Sequence, residues 1–304
     1  MPRLSREPRR ESPGRLTAAG VRAKAAAMND KLLEVPSAPD PRKENGFAGS
    51  TRFLITLFVL ALVLRSFIVA PFSIPSGSML PRMMIGDYLF VAKWPYGFSR
   101  YSFPFGLIPF EGRILGAGAK RGDVAVFRFP GKDQDYVKRV IGLPGDLVQM
   151  RGGVLYLNGD AVPKVRIADY LMPISPNSPC RTFDPAAARI VPGPGGRRFC
   201  AYRRYRETLP GGRSYEVLDE GFAPGDNTGV FVVPEGHYFL LGDNRDDSED
   251  SRFPRAIGGV AYLPEDYLIG RALVTFFSTD GSASWIKPWT WFTAARWDRL
   301  GGTY

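Results

Sequence analysis

Histidine and cysteine are scarce: 304 residues hold one histidine, His237, and two cysteines, Cys180 and Cys200. A Ser-His-Asp triad would have to use His237, and a zinc centre normally draws on several His, Cys or carboxylate ligands. His237 opens the strand-like run "GHYFLLGDN" and is assigned to structure, so neither a metal nor another cofactor is expected. Long apolar runs are scarce as well, with one at residues 53–74 and no second of comparable length, and there is no internal repeat. A basic excess does exist, 40 Lys and Arg against 30 Asp and Glu, a net charge of +10. It is dispersed among acidic residues, with no basic helix and no aromatic-basic RNA motif, which argues against nucleic acid as a partner. Anionic lipid attracts the same charges, so membrane lipid is the expected neighbour.

Residues 1–50 carry ten Lys or Arg against six Asp or Glu and little apolar material. Such a segment cannot offset the entropy of ordering and reads as a flexible tail, with Met28 a second possible start. The run "FLITLFVLALVLRSFIVAPFSI" holds a single charge, Arg65. At about 1.5 Å per residue it is long enough for a hydrocarbon core of roughly 30 Å, so residues 51–74 read as a transmembrane helix. Arg42, Lys43 and Arg52 before it favour a cytoplasmic N-terminus and a body on the outer side.

Beyond the helix, "DYLFVAKW", "GDVAVFRFP", "YVKRVIGLPGD", "VQMRGGVLYLNG", "GHYFLLGDN" and "LIGRALVTFF" read as strands punctuated by Gly, Pro, Asn and Asp. Residues 161–234 shift to Pro, Gly and Arg with weaker patterning and read as an insertion. The expected fold is mainly β: a membrane-anchored domain of antiparallel β-sheets with an inserted smaller β region, preceded by one transmembrane helix. The core would comprise 75–160 and 235–304, with 161–234 non-catalytic. Cys180 and Cys200 both fall in the insertion. They are either a bridge, which would stabilise by about 3 kcal/mol in the loop-entropy picture, or two free thiols. The Trp-rich C-terminus, "SWIKPWTWFTAARWDRL", is either an amphipathic turn at an interface or core packing. The apolar, Pro-rich stretch 101–115 is likewise either a bilayer-dipping loop or core.

The stretch "FSIPSGSMLP", just past the apolar run, raises the question of a serine nucleophile, which needs a base. With histidine scarce, lysine is the alternative, provided burial keeps it neutral. Lys138 in "DYVKRVIGLPGD" lies where strand alternation turns it to the face opposite Val137 and Arg139. Alone, such a lysine reads equally as a solvated strand position.

The ordered set "RSFIVAPFSIPSGSMLP" with "GDYLFV", then "RGDVAVFRFP", "DYVKRVIGLPGD" and "GDNRDDSEDSR", resembles the bacterial type I signal peptidases, membrane-bound Ser-Lys proteases, over about residues 64–275. The resemblance implies Ser78 as nucleophile, Lys138 as general base, and the Ser76 hydroxyl with the Ser78 backbone N–H as an oxyanion hole. It implies Ser248 as the residue orienting the lysine and Asp243, Asp250 and Arg252 as buttresses. It further implies secretory preproteins as partners, cut after small residues at −1 and −3, at the bacterial inner membrane. Arg82-Met83 departs from the family's usual Thr-Leu, which touches local packing but not the nucleophile. Other membrane-tethered Ser-Lys proteases, and a membrane-anchored β-domain that only binds a partner, are the competing classes. Ser78 lies four residues past Ile74, an extended reach of about 14 Å, which would keep the chemistry near the membrane surface.

Overall fold

The computed structural model describes residues 47–103, 110–182, 189–284 and 286–304. The expected tail up to residue 46, the start at Met28 and the middle of the 101–115 stretch, residues 104–109, lie outside the described residues. Helix α1 (Phe47–Val63) continues as one π-helical turn, Leu64–Ile68. Ser50–Ile68 has a mean hydropathy of 2.0 and is long and apolar enough to cross a membrane.

The helix begins at Phe47, inside the expected 1–50 tail, and stops at Ile68 short of residue 74, because residues 69–73 leave it as a strand, β1 (Val69–Ser73). Pro71 accounts for the change: it has no backbone N–H and disfavours the α region for Ala70 before it. Ser78 is therefore ten residues beyond Ile68. Its extended reach from the helix is up to about 35 Å instead of about 14 Å.

The remaining strands are β2 (Asp87–Ala92), β3 (Val124–Arg128), β4 (Asp135–Gly142), β5 (Leu147–Arg151), β6 (Val154–Leu157), β7 (Asp160–Ala161) and β8 (Lys164–Pro173). There follow β9 (Arg189–Pro192), β10 (Arg198–Thr208), β11 (Ser214–Leu218), β12 (Phe231–Val232), β13 (His237–Leu241), β14 (Leu263–Pro264) and β15 (Leu268–Ser278). A seven-stranded sheet has the order β1-β2-β15-β3-β4-β13-β14, every pair antiparallel. A second sheet, β11-β10-β8 with β9 also on β10, is built from the Arg-rich segment, and a third has the order β12-β5-β6-β7. The fold is thus mainly β with antiparallel sheets, and the six strand-like runs all lie in it.

After β15 the chain forms the short helix α2 (Thr290–Ala294) and a 3-10 turn, Trp297–Arg299. Ala294 is buried while Trp289 and Phe292 stay exposed, so only part of this segment packs inward. Cys180 and Cys200 form a disulfide with their Cα atoms 5.2 Å apart. Thiol alkylation of protein made in an oxidising compartment is expected to label neither sulfur until reductant is added. Labelling of both without reductant would reject the bridge.

Candidate active site

The turn carrying Ser78 is fixed by what its apolar residues enter. Ile74, Met79 and Met83 are buried in one cluster with Val126 and Val137, and Leu80 and Met84 in another with Met172, Cys200 and Leu218. Met83 N–H also donates to Met79 O at 2.9 Å. Anchors on both sides hold the turn without help from the Ser78 hydroxyl. The departure at Arg82-Met83 fits this packing: Met83 is core, and the Arg82 guanidinium donates to Thr303 O at 2.7 Å. Behind the turn the fully buried Asp87 accepts from Met84 N–H, Ser278 Oγ and Arg299, tying the serine loop to the C-terminal segment.

Lys138 lies on β4 opposite Ala125 of β3, and its Nζ donates to Ser78 Oγ at 2.6 Å. Both residues are buried. Burial pulls the ammonium down to about 8, although Asp250, Glu249 and Asp247 work in the opposite direction. A neutral amine at hydrogen-bond distance from a serine hydroxyl is an arrangement able to take its proton. Ser76 Oγ is 3.4 Å from Ser78 Oγ at an exposed position. The serines and Lys138 line a cleft of about 1000 Å³, walled by Phe72, Ile74, Tyr136 and Val137.

The supporting residues converge from the 242–252 loop. Arg139, on the strand face opposite Lys138, donates to both carboxylate oxygens of Asp243 at 2.7 and 2.6 Å. Arg252 grips Asp250 with two contacts of 2.9 Å, and Gly242 N–H donates to Asp250 Oδ2 at 3.0 Å. Burial alone would raise the Asp250 carboxyl, but Arg252 and these donors hold it below the ordinary range. Ser248 reaches the cleft, yet its buried Oγ has no hydrogen-bond partner and does not bond Lys138 among the described residues. His237 is half-buried at the start of β13, its Nδ1 paired with Glu235 O at 2.9 Å, and it is not among the residues lining the cleft.

Gly242, Arg245 and Glu207 were not foreseen. A Cβ on Gly242 would lie 2.1 Å from Ser248 Oγ and 2.6 Å from Ser78 O, so this position has no room for a side chain. At Gly77 the nearest neighbour would be Leu80 Cδ1 at 3.3 Å, a milder demand. Arg245, in the same loop, reaches the fully buried Glu207 on β10, whose other donor is Tyr215 Oη at 2.7 Å. Glu207→Ala would leave Arg245 as an uncompensated buried charge. It is expected to cost about 3–5 kcal/mol, read from the denaturation midpoint, and to lower activity by loosening the loop. An unchanged midpoint would mean that the pair carries none of the local stability.

The chain is similar in sequence to known proteins. Residues 48–277 match the signal peptidase family, peptidase S26. The chain is 38% identical over 231 residues to the signal peptidase I of Rickettsia typhi strain Wilmington, covering 72% of this chain and 76% of that one. It is 36% identical over 242 residues to that of Rickettsia prowazekii strain Madrid E, covering 76% and 79%. A crystal structure of a signal peptidase I from Enterococcus faecalis V583 is 26% identical, covers 50% of this chain and 95% of its own, and superposes with a TM-score of 0.26. The chain belongs to the signal peptidase family, peptidase S26, and is an enzyme of the signal peptidase I type.

Proposed function

We propose that the enzyme removes signal peptides from secretory preproteins with a Ser78–Lys138 dyad. The observation that carries this reading is the 2.6 Å contact between Lys138 Nζ and Ser78 Oγ inside a cleft, with the lysine buried. Neutral Lys138 takes the proton of Ser78 as Oγ bonds to the scissile carbonyl carbon. The carbonyl oxygen becomes an oxyanion met by Ser78 N–H and Ser76 Oγ–H. Collapse breaks the C–N bond, Lys138 delivers the proton to the leaving amine, and water then hydrolyses the Ser78 ester by the same route. Donors fixed before reaction matter here, since losing one typically costs about 100- to 1,000-fold in rate.

Asp243, Asp250, Arg252 and Ser248 act through the loop they build, Asp250 and Arg252 by holding its backbone beside Lys138. The catalytic core is 75–160 and 235–304, and 161–234 is a non-catalytic insertion that braces the loop through Glu207. The preproteins are cut after small residues at −1 and −3, in the cleft that Ile74 and Tyr136 help to line. The helix ending at Ile68 anchors the enzyme in the bacterial inner membrane, N-terminus cytoplasmic, body on the outer side and against lipid. Incubating detergent-solubilised enzyme with a preprotein and reading the product masses tests this. A single cut after the small −1 residue is expected, lost when that residue is made large; no cut, or a cut elsewhere, would contradict the reading.

A further inference from the structure

The peptide groups on both sides of Ser78 are held by one residue, Asn244. Its Nδ2 donates to Gly77 O at 3.2 Å, and its backbone N–H donates to Ser78 O at 3.1 Å. Asn244 is only 3% exposed and does not line the cleft. It is itself fixed from both sides: Leu218 N–H donates to Asp243 O at 2.8 Å, and Asp247 N–H donates to Asn244 O at 3.2 Å. An asparagine in such a loop ordinarily turns its amide back on its own backbone to make an Asx turn. This one spends its amide on a carbonyl 167 positions earlier in the chain.

The choice of carbonyl matters. A peptide unit is planar and trans, so its C=O and N–H point in opposite directions. Gly77 O belongs to the same unit as the Ser78 N–H. Pinning that oxygen toward Asn244 turns the Ser78 N–H the other way, and among the described residues this N–H meets no acceptor. Leu80 N–H is a second donor to Gly77 O, at 3.0 Å, so the unit is held from two directions.

We propose that Asn244 is a positioning residue that aims the Ser78 N–H at the oxygen of the scissile carbonyl. This rests on the assignment of Ser78 as nucleophile and of its N–H as an oxyanion donor. Freed from one of its two holds, the unit rocks, and the donor misses the position where charge develops by a fraction of an ångström. A misplacement near 1 Å costs on the order of 100-fold in rate, so a loss of about 10- to 100-fold is expected. Because the oxyanion exists only in the transition state, that loss belongs to kcat and not to KM.

The test uses Asn244→Ala and Asn244→Asp in the full chain. Both remove the amide donor and keep the backbone N–H; the second keeps the volume in case the first does not fold. In whichever variant melts near the parent, kcat should fall about 10- to 100-fold with KM within about threefold, and in Asn244→Ala, which adds no charge near Lys138, the acidic limb of kcat/KM should stay unmoved. A substrate-sequence peptide aldehyde, whose carbonyl becomes an oxyanion on addition of Ser78, should lose affinity by the same factor. The matching peptide amide, with no oxyanion to form, should bind as before. Parent-like kcat, a loss confined to KM, or equal losses for aldehyde and amide would overturn the proposal. So would failure of both variants to fold, because Asn244 would then be holding the loop and not aiming a donor. Ser78→Ala run alongside separates the two levels: an active Ser78→Ala removes the dyad reading, whereas an inactive one beside parent-like Asn244 variants removes this inference alone.

Discussion

Ser78→Ala should abolish preprotein cleavage, with kcat/KM down by roughly 10,000-fold or more, while the protein remains folded. The turn is anchored by Met79, Leu80, Met83 and Met84 in two separate clusters, none of which involves the hydroxyl. What the substitution removes from the folded state is the partner of Lys138 Nζ. Losing one partner of a buried hydrogen bond costs about 1–3 kcal/mol, a modest fall in melting temperature. Residual turnover above that of an empty-vector preparation would require a different nucleophile.

Lys138→Met should lower kcat/KM by about 100- to 10,000-fold and yet melt no lower than the parent. Methionine keeps the length of the chain but has no basic atom, so Ser78 retains its proton. Stability moves the other way because a buried amine is an expense that an apolar side chain does not incur. The folded lysine is held near 8, against 10.5 when free, by burial first of all. Between those values the unfolded chain binds the extra proton, so parent stability should rise with pH across that window and level off above it. The methionine variant should lack this rise. A variant that loses activity only by unfolding, or one that keeps the rise, would show that Lys138 is not the residue being read.

The strands were legible because short runs rich in Val, Leu, Phe and Tyr stand between Gly, Pro, Asn and Asp turns, as at β2, β3, β4, β13 and β15. The end of the helix was harder to read. An apolar run has no period that separates helix from strand, and only Pro71 marks the change. The long strands β8 and β10 were missed because arginines, Arg166 on the first and Arg198, Arg203 and Arg206 on the second, interrupt their apolar residues and stay exposed. Ser78 and Lys138 stood out by resemblance, and the cluster that packs Ile74, Met79 and Met83 against Val126 and Val137 explains how they meet across 60 residues. The contacts from Arg139 to Asp243, Arg245 to Glu207 and Asn244 to Gly77 had no local signal at all. Each joins residues far apart in the chain, and only the closure of the sheets makes them neighbours. Gly242 was illegible for a related reason: its lack of a side chain matters only because Ser248 and Ser78 close over it.

Whether a neutral Lys138 is the base is read from the pH profile of kcat/KM. Below its inflection Lys138 is an ammonium and cannot accept the proton of Ser78, so activity should fall about tenfold per pH unit on the acidic side. An inflection is expected near 8, where burial holds Lys138, with a His237→Gln profile that superimposes on the parent's. An inflection near the free-histidine value of about 6.5 that disappears in His237→Gln would contradict it and return the chemistry to a histidine-dependent triad.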